Sequence, residues 1–83
     1  MSTAEILNSI IGVFKSVLDN DSVILTFSST ADDVQDWDSL THIQLVLAIE
    51  KFFKIRFTSA EIIGFKNVGE MVNCIEGKLM SKA

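Results

Sequence analysis

Proline is absent from this 83-residue sequence, and glycine occurs only four times. Both residues disfavour helix interiors, so nothing in the composition prevents long helices. The single cysteine, Cys74, excludes an internal disulfide and a zinc site built from several cysteines. It stands among apolar residues and is predicted to be a small buried side chain. No apolar run approaches the roughly 20 residues that a membrane-spanning helix needs.

Positive charge is also scarce, with 7 Lys and Arg against 11 Asp and Glu and a net charge of -4. Nucleic acids and anionic membrane surfaces are bound through clustered cations, so the composition argues against both and favours a partner with a basic patch. The first residues lack the basic-then-apolar order of a signal peptide. We therefore expect a cytoplasmic protein.

Apolar residues make up 48% of the chain, which predicts one packed domain over residues 1–83. A domain of this size has a small core and little room for a deep active site. Such a chain more often binds, presents or carries a molecule than catalyses alone.

Helical periodicity predicts three longer helices and one short helix. Residues 2–5, STAE, form a capping-box pattern before a helix over residues 3–18. Its apolar face comprises Ile6, Leu7, Ile10, Ile11, Phe14, Val17 and Leu18. A second helix begins at Asp38 and Ser39 and runs to about residue 53. Its core face is predicted to comprise Leu45, Val46, Ile49, Phe52 and Phe53.

The rest of the chain completes a small all-α bundle. Residues 58–61, TSAE, repeat the capping-box pattern before a short helix that Gly64 ends, and Asn67 caps a last helix. Residues 19–37 have no helical period. Because no second strand is available to pair with residues 23–27, we predict a long first loop whose apolar side chains tuck onto the bundle.

Asp38 and Ser39 form the candidate site. The N-terminus of a helix has unpaired N–H groups and the positive end of the helix dipole. A serine there can hold a phosphodiester with help from the backbone. Ser and Asp are also the commonest helix caps, so the pair alone does not distinguish a site from a cap.

The surrounding sequence distinguishes them. Residues 36–57, DWDSLTHIQLVLAIEKFFKIRF, resemble the acyl carrier protein signature, in which D-S-L precedes a helix of the form E-L-V-x-A-L-E-x-x-F and then G-I-x-I. Residues 67–72, NVGEMV, resemble the T-V-G-D start of that family's last helix. Helix order, the long first loop and the domain size also agree, so the resemblance covers essentially the whole chain.

The resemblance implies a carrier and not an enzyme. A phosphopantetheinyl transferase would attach 4′-phosphopantetheine from coenzyme A to Ser39, with Asp38 in a supporting role. The thiol of that arm would hold an acyl or related group as a thioester for loading and processing enzymes. The family also implies a monomer, and the composition already argues against nucleic-acid binding and membrane insertion.

The resemblance further implies a docking face on the second helix and a place for cargo between helices. The docking residues would be Leu40, Gln44, Leu47, Glu50 and Lys51. Leu40 and Leu47 also fall off the core face by helical geometry alone. The cargo-lining residues would be Ile43, Val46, Phe57, Ile62 and Phe65. The bulk of Phe57 and Phe65 favours a short acyl, hydroxyacyl or aminoacyl group.

The sequence departs from the family at several positions. Gln44 and Lys51 stand on a helix that is usually acidic, which suggests a dedicated biosynthetic pathway of lipid or secondary metabolism. Asp36 stands where a glycine is common and Thr58 where a proline is common, so the loop geometry is expected to differ.

Three other features favour structural interpretations. Trp37 is predicted to anchor the loop, and His42 to bond a loop carbonyl as a structural histidine. The acidic residues Asp32, Asp33, Asp36 and Asp38 lack the glycine and final glutamate of a calcium-binding loop and are predicted to be solvated.

Two alternatives to an acyl carrier remain at this point. One is an aminoacyl or peptidyl carrier of a peptide-synthetase-like system. The other is an unmodified helical interaction module in which Asp38 and Ser39 only cap a helix.

Overall fold

Four helices make up the secondary structure of the computed structural model, which describes residues 2–81. They are α1 (Thr3–Leu18), α2 (Ser39–Phe53), α3 (Ser59–Gly64) and α4 (Val68–Ser81). No strand occurs within these residues. The predicted all-α bundle of three longer helices and one short helix is confirmed, with a long loop between α1 and α2.

Local capping explains where the helices begin. The hydroxyl of Ser2 accepts the N–H of Glu5, while the Glu5 carboxylate accepts the N–H of Ser2. Thr58 and Glu61 form the same capping box at α3. Reciprocal bonds of this kind satisfy N–H groups that the helix itself leaves unpaired. Both predicted capping boxes are confirmed.

The core lies where α1 packs against α2 and α4. Fully buried side chains from the three helices form its centre: Ile6, Ile10, Phe14, Leu45, Ile49, Val68, Met71, Val72 and Ile75. The prediction that Phe52 belongs to this core is wrong, because its side chain is 57% exposed. The Phe52 ring lies beside the Phe53 ring at 4.9 Å, on the edge of the stripe that α1 covers. Val13, which the periodicity did not select, is buried instead.

The long loop packs onto the bundle through part of its apolar content. Val23, Leu25 and Val34 are buried, whereas Ile24 and Phe27 point outward, so the predicted tucking holds for some of these residues only. An extended segment turns alternate side chains to opposite sides, which accounts for the exposure of Ile24 between its neighbours.

Backbone carbonyls of this loop cap α4. The N–H of Val68 donates to the carbonyl of Ser29 at 2.9 Å, and the N–H of Gly69 donates to the carbonyl of Phe27 at 2.7 Å. The side chain of Asn67 accepts the N–H of Glu70 at 2.9 Å, as predicted for a cap. The loop therefore provides hydrogen-bond acceptors for the N-terminus of α4 before it continues into α2.

Cys74 links α4 to α3 and is only partly buried, contrary to the prediction of a buried apolar side chain. Its thiol donates to Glu61 at 3.3 Å, and Lys78 forms a salt bridge with Glu61 at 3.0 Å. Burial raises the pKa of Cys74 to about 11. Since thiolates are the reactive form, this cysteine is inert at neutral pH.

The structure also bears on membrane insertion. None of the helices within residues 2–81 combines the length and the apolar character needed to cross a membrane.

Candidate functional site at the start of helix α2

Asp38 is the N-cap of α2. Its Oδ1 accepts the N–H of Leu40 at 3.0 Å and the N–H of Thr41 at 2.9 Å. The hydroxyl of Thr41 accepts the N–H of Asp38 at 2.8 Å, which completes a capping box with threonine in the usual place of glutamate. The Thr41 backbone N–H contributes most to lowering the pKa of Asp38. The carboxylate is therefore ionised at neutral pH.

Ser39 is the first residue of α2 and does not act as its cap. The side chain is exposed, and its hydroxyl forms no hydrogen bond with the described part of the chain. From the sequence, Asp38 or Ser39 could each have capped the helix. In the structure, capping and a free hydroxyl belong to different residues. The carboxylate holds the helix end, and the hydroxyl is available to react.

The structure shows which backbone N–H groups at this helix end are already paired. A phosphodiester on Ser39 was expected to use the unpaired N–H groups of the helix end. Asp38 already occupies the N–H groups of Leu40 and Thr41. The N–H of Ser39 itself has no hydrogen-bond partner within residues 2–81, so the helix end leaves one donor, and not three, beside the exposed hydroxyl.

A chain of side-chain hydrogen bonds fixes the surroundings of Ser39. The indole N–H of Trp37 donates to Nδ1 of His42 at 3.0 Å, and Nε2 of His42 lies 2.9 Å from the carbonyl oxygen of Ile62. An indole N–H only donates and a carbonyl only accepts, so this network assigns the proton to Nε2. The chain ties the loop before α2 to α3 through one histidine.

Both aromatic predictions are borne out in substance. Trp37 is buried and packs edge-to-face on Phe14, with ring centroids 5.0 Å apart, so it anchors the loop as predicted. His42 is a structural histidine that bonds a backbone carbonyl. That carbonyl belongs to α3, however, and not to a loop.

An open groove of about 590 Å³ runs beside Ser39 between α2 and α3. Its walls include Ile43, Ile62 and Phe65, three of the five side chains predicted to line a cargo site. Val46 and Phe57, the other two, are buried and do not line the groove. Val46 faces the core, and the Phe57 ring lies behind Phe65 in an edge-to-face contact at 5.3 Å.

Several groove residues were not predicted to line it, and three of them are large side chains. Trp37 and His42 contribute their rings, and Ile63 lies on the rim with 84% of its side chain exposed. Because Ile62 and Ile63 are successive, their side chains point about 100° apart on the helix. The signal in the sequence was the pair of adjacent isoleucines on a short helix, because one of the two must point away from the core.

The outer face of α2 is apolar and open. Leu40 and Leu47 are 71% and 52% exposed, and Gln44 and Lys51 are exposed between and after them. Glu50, the remaining residue of the predicted docking set, is only partly exposed. Its Oε2 accepts the N–H of Phe57 at 2.8 Å, so it holds the segment after α2 in place.

The acidic residues of the loop do not assemble a cation site. Asp32, Asp33, Asp36 and Asp38 are exposed, as predicted for a solvated acidic loop. Asp33 accepts the N–H of Thr30 at 3.0 Å and closes a turn. Within residues 2–81 no three His, Cys, Asp or Glu side chains come together in a way that could hold a metal ion.

Comparison with known proteins gives two positive findings. The family described as the phosphopantetheine attachment site matches residues 8–75. The solution NMR structure of a holo acyl carrier protein from Geobacter metallireducens is 37% identical and superposes with a TM-score of 0.85. The match covers 92% of this chain and 87% of that one. No curated protein sequence matches.

Proposed function

The chain belongs to the acyl carrier protein family, a family of carriers with a 4′-phosphopantetheine prosthetic group and no enzymatic activity of their own, and we propose that Ser39 is its attachment residue. The observation that carries this assignment is the division of labour at the start of α2. Asp38 makes the capping bonds, and the exposed Ser39 hydroxyl makes none. Esterification of Ser39 therefore breaks no bond that the fold depends on.

The residues around Ser39 fit the group. The serine lines a groove with an apolar part, and Asp38 and Thr41 fix the helix end through reciprocal bonds. The group, when bound, supplies a terminal thiol that holds cargo as a thioester. The protein supplies a fixed origin for a flexible tether, which raises the effective concentration of cargo at each partner.

We propose that the groove shelters a short cargo. Ile43, Ile62 and Phe65 form the apolar part of its walls, and its inner side is closed by the His42–Ile62 hydrogen bond and by the Phe57 ring behind Phe65. A few carbons could lie between Ile43 and Ile62 in this groove without entering the core. A long acyl chain would have to displace these contacts.

Thermal unfolding of the protein loaded with acyl groups of increasing length tests this proposal. Sheltered carbons bury apolar surface at roughly 25 cal/mol per Å², so Tm should rise over the first few carbons and then level off. A Tm that keeps rising with long chains would contradict a short groove. A Tm that never changes would show that cargo stays in solvent.

We propose that partner enzymes dock on the outer face of α2 through Leu40, Gln44 and Leu47, with Lys51 at its far end. This face lacks the acidic residues common in the family, and its one acidic side chain, Glu50, is held by the Phe57 N–H. Such a face suits the enzymes of a dedicated pathway. A transacylase of general fatty-acid synthesis that loads this protein as fast as its own carrier would contradict this.

Intact-protein mass spectrometry after incubation with coenzyme A and a broad-specificity phosphopantetheinyl transferase tests the attachment residue. Wild type should gain one phosphopantetheine group, and Ser39→Ala should gain none. Ser59→Ala is the matched control, because Ser59 is likewise an exposed first residue of a helix, next to the cap Thr58. Loss of loading in the control as well, or loading of Ser39→Ala, would refute the assignment.

A further inference from the structure

Charge is distributed unevenly between the two ends of α2. The loop that enters the helix carries an acidic pole, defined as Asp32, Asp33, Asp36 and Asp38. The opposite end carries a basic pole, defined as Lys51, Lys54 and Arg56. All seven side chains are exposed. Since a helix rises 1.5 Å per residue, the 15 residues of α2 separate the two poles by roughly 20 Å.

An apolar strip joins the poles. Leu40 lies beside the acidic pole and Leu47 near the basic pole, with Gln44 between them. Residues spaced by three or four positions lie on the same side of a helix. Leu47 and the basic pole also line one shallow depression of about 550 Å³, together with Glu50 and Ile55.

Glu50, the acidic side chain that lines this depression, is bonded to the backbone and not to Lys51 or Arg56. Glu50 accepts the N–H of Phe57 at 2.8 Å. Neither Lys51 nor Arg56 forms a salt bridge with any of residues 2–81. Lys51 and Arg56 therefore make the depression positive, although the whole chain carries a net charge of -4.

We propose that the depression at the basic pole receives an acidic surface of a partner enzyme, with carboxylates on Lys51 and Arg56 and an apolar recess around Leu47. This proposal rests on the carrier function and adds the charge of the partner. The same partner would present basic groups to the acidic pole. Opposite charges at the two ends of α2 select one orientation of the partner, because the reversed orientation would bring like charges together.

A protein surface fits these features better than a polyanion does. A nucleic acid or an anionic membrane presents negative charge to both poles at once, and the acidic pole would repel it. A second copy of this chain, placed antiparallel, would also pair each pole with the opposite charge. It would, however, cover the space around Ser39 into which an attached group must extend. The partner is therefore inferred to be a different protein.

NMR titration with two probe peptides tests the proposal. One is an amphipathic peptide of leucine and glutamate, and the other is the same peptide with lysine for glutamate. The glutamate peptide should shift the amide signals of Leu47, Lys51 and Arg56 and bind more weakly as salt screens the charges. Lys51→Glu and Arg56→Glu should each raise its Kd roughly two- to fivefold. Lys15→Glu on α1 makes the same charge change and should leave Kd unaltered.

Several results would overturn the proposal. These are equal affinity for both peptides at the basic pole, an unchanged Kd in both pole variants, or an equal rise in Lys15→Glu. Self-association of the free protein that Lys51→Glu abolishes would identify a second copy as the occupant. Binding to phosphatidylglycerol vesicles through the same residues would identify a membrane. Loading of Ser39 is measured on the same samples, so a failure of the carrier function is seen separately.

Discussion

Gly69 is the position where the fold leaves no room for a side chain. A Cβ on this residue would lie 2.7 Å from the carbonyl oxygen of Phe27, the same oxygen that accepts the Gly69 N–H. Ordinary Cβ contacts begin at 3.4 Å, and a backbone carbonyl cannot rotate away as a side chain can. We predict that Gly69→Ala pushes the loop off the start of α4.

The expected loss follows from two effects. Overpacking against a rigid neighbour costs roughly 1–3 kcal/mol, and a weakened Gly69–Phe27 hydrogen bond adds to it. The better helix propensity of alanine returns at most about 1 kcal/mol. The net loss of unfolding free energy should therefore be about 1–2 kcal/mol. Urea denaturation followed by circular dichroism measures it.

Gly77→Ala is the matched control for Gly69→Ala. Gly77 lies on the same helix, and a Cβ there meets no heavy atom within 4 Å. Alanine should therefore stabilise the protein by roughly 0.5–1 kcal/mol. The two substitutions are chemically identical, so opposite signs isolate the contact with Phe27. If both variants gained stability, the close approach of loop and helix would be refuted.

The remaining predictions concern the site. Trp37→Phe should lose roughly 1–3 kcal/mol of stability in a denaturant titration, because Nδ1 of His42 then lacks its donor; no loss would mean that water replaces the indole. Ser39→Ala should change stability by less than about 0.5 kcal/mol, since this exposed hydroxyl makes no hydrogen bond to any of residues 2–81, and a larger loss would make Ser39 structural. Stability should fall as pH drops from 4.5 toward 2 because folding lowers the pKa of Glu61 to about 2, mainly through the Thr58 N–H, and that of Asp38 from 3.8. These carboxylates stabilise the fold above their unfolded pKa values and lose that contribution on protonation. A thermal melting series that is flat across this pH window would contradict the capping geometry.

Helix boundaries could be predicted from the sequence because capping is local. Ser2 with Glu5, and Thr58 with Glu61, lie three residues apart and need no tertiary partner to bond. The start of α2 was predictable for the same reason, since Asp38 caps it from one residue away. Helix starts that are set by hydrogen bonds within three residues can be predicted without a structure.

Features that depend on how one helix packs against another could not be predicted from the sequence. A helical wheel places Phe52 on the core side, but it does not show how wide a stripe α1 covers. In the same way, the sequence could not show that Phe57 stands behind Phe65 and not beside it. The separate functions of Asp38 and Ser39 needed the hydrogen bonds themselves, because either residue type makes a good cap.

We propose that Ser39 alone carries the prosthetic group. Peptide mapping by tandem mass spectrometry of protein loaded with coenzyme A and a phosphopantetheinyl transferase tests this most directly. We expect one modified residue, Ser39, with full loading and an unchanged helical circular dichroism spectrum. Modification of any other serine, or a folded protein that several transferases leave unmodified, would contradict it.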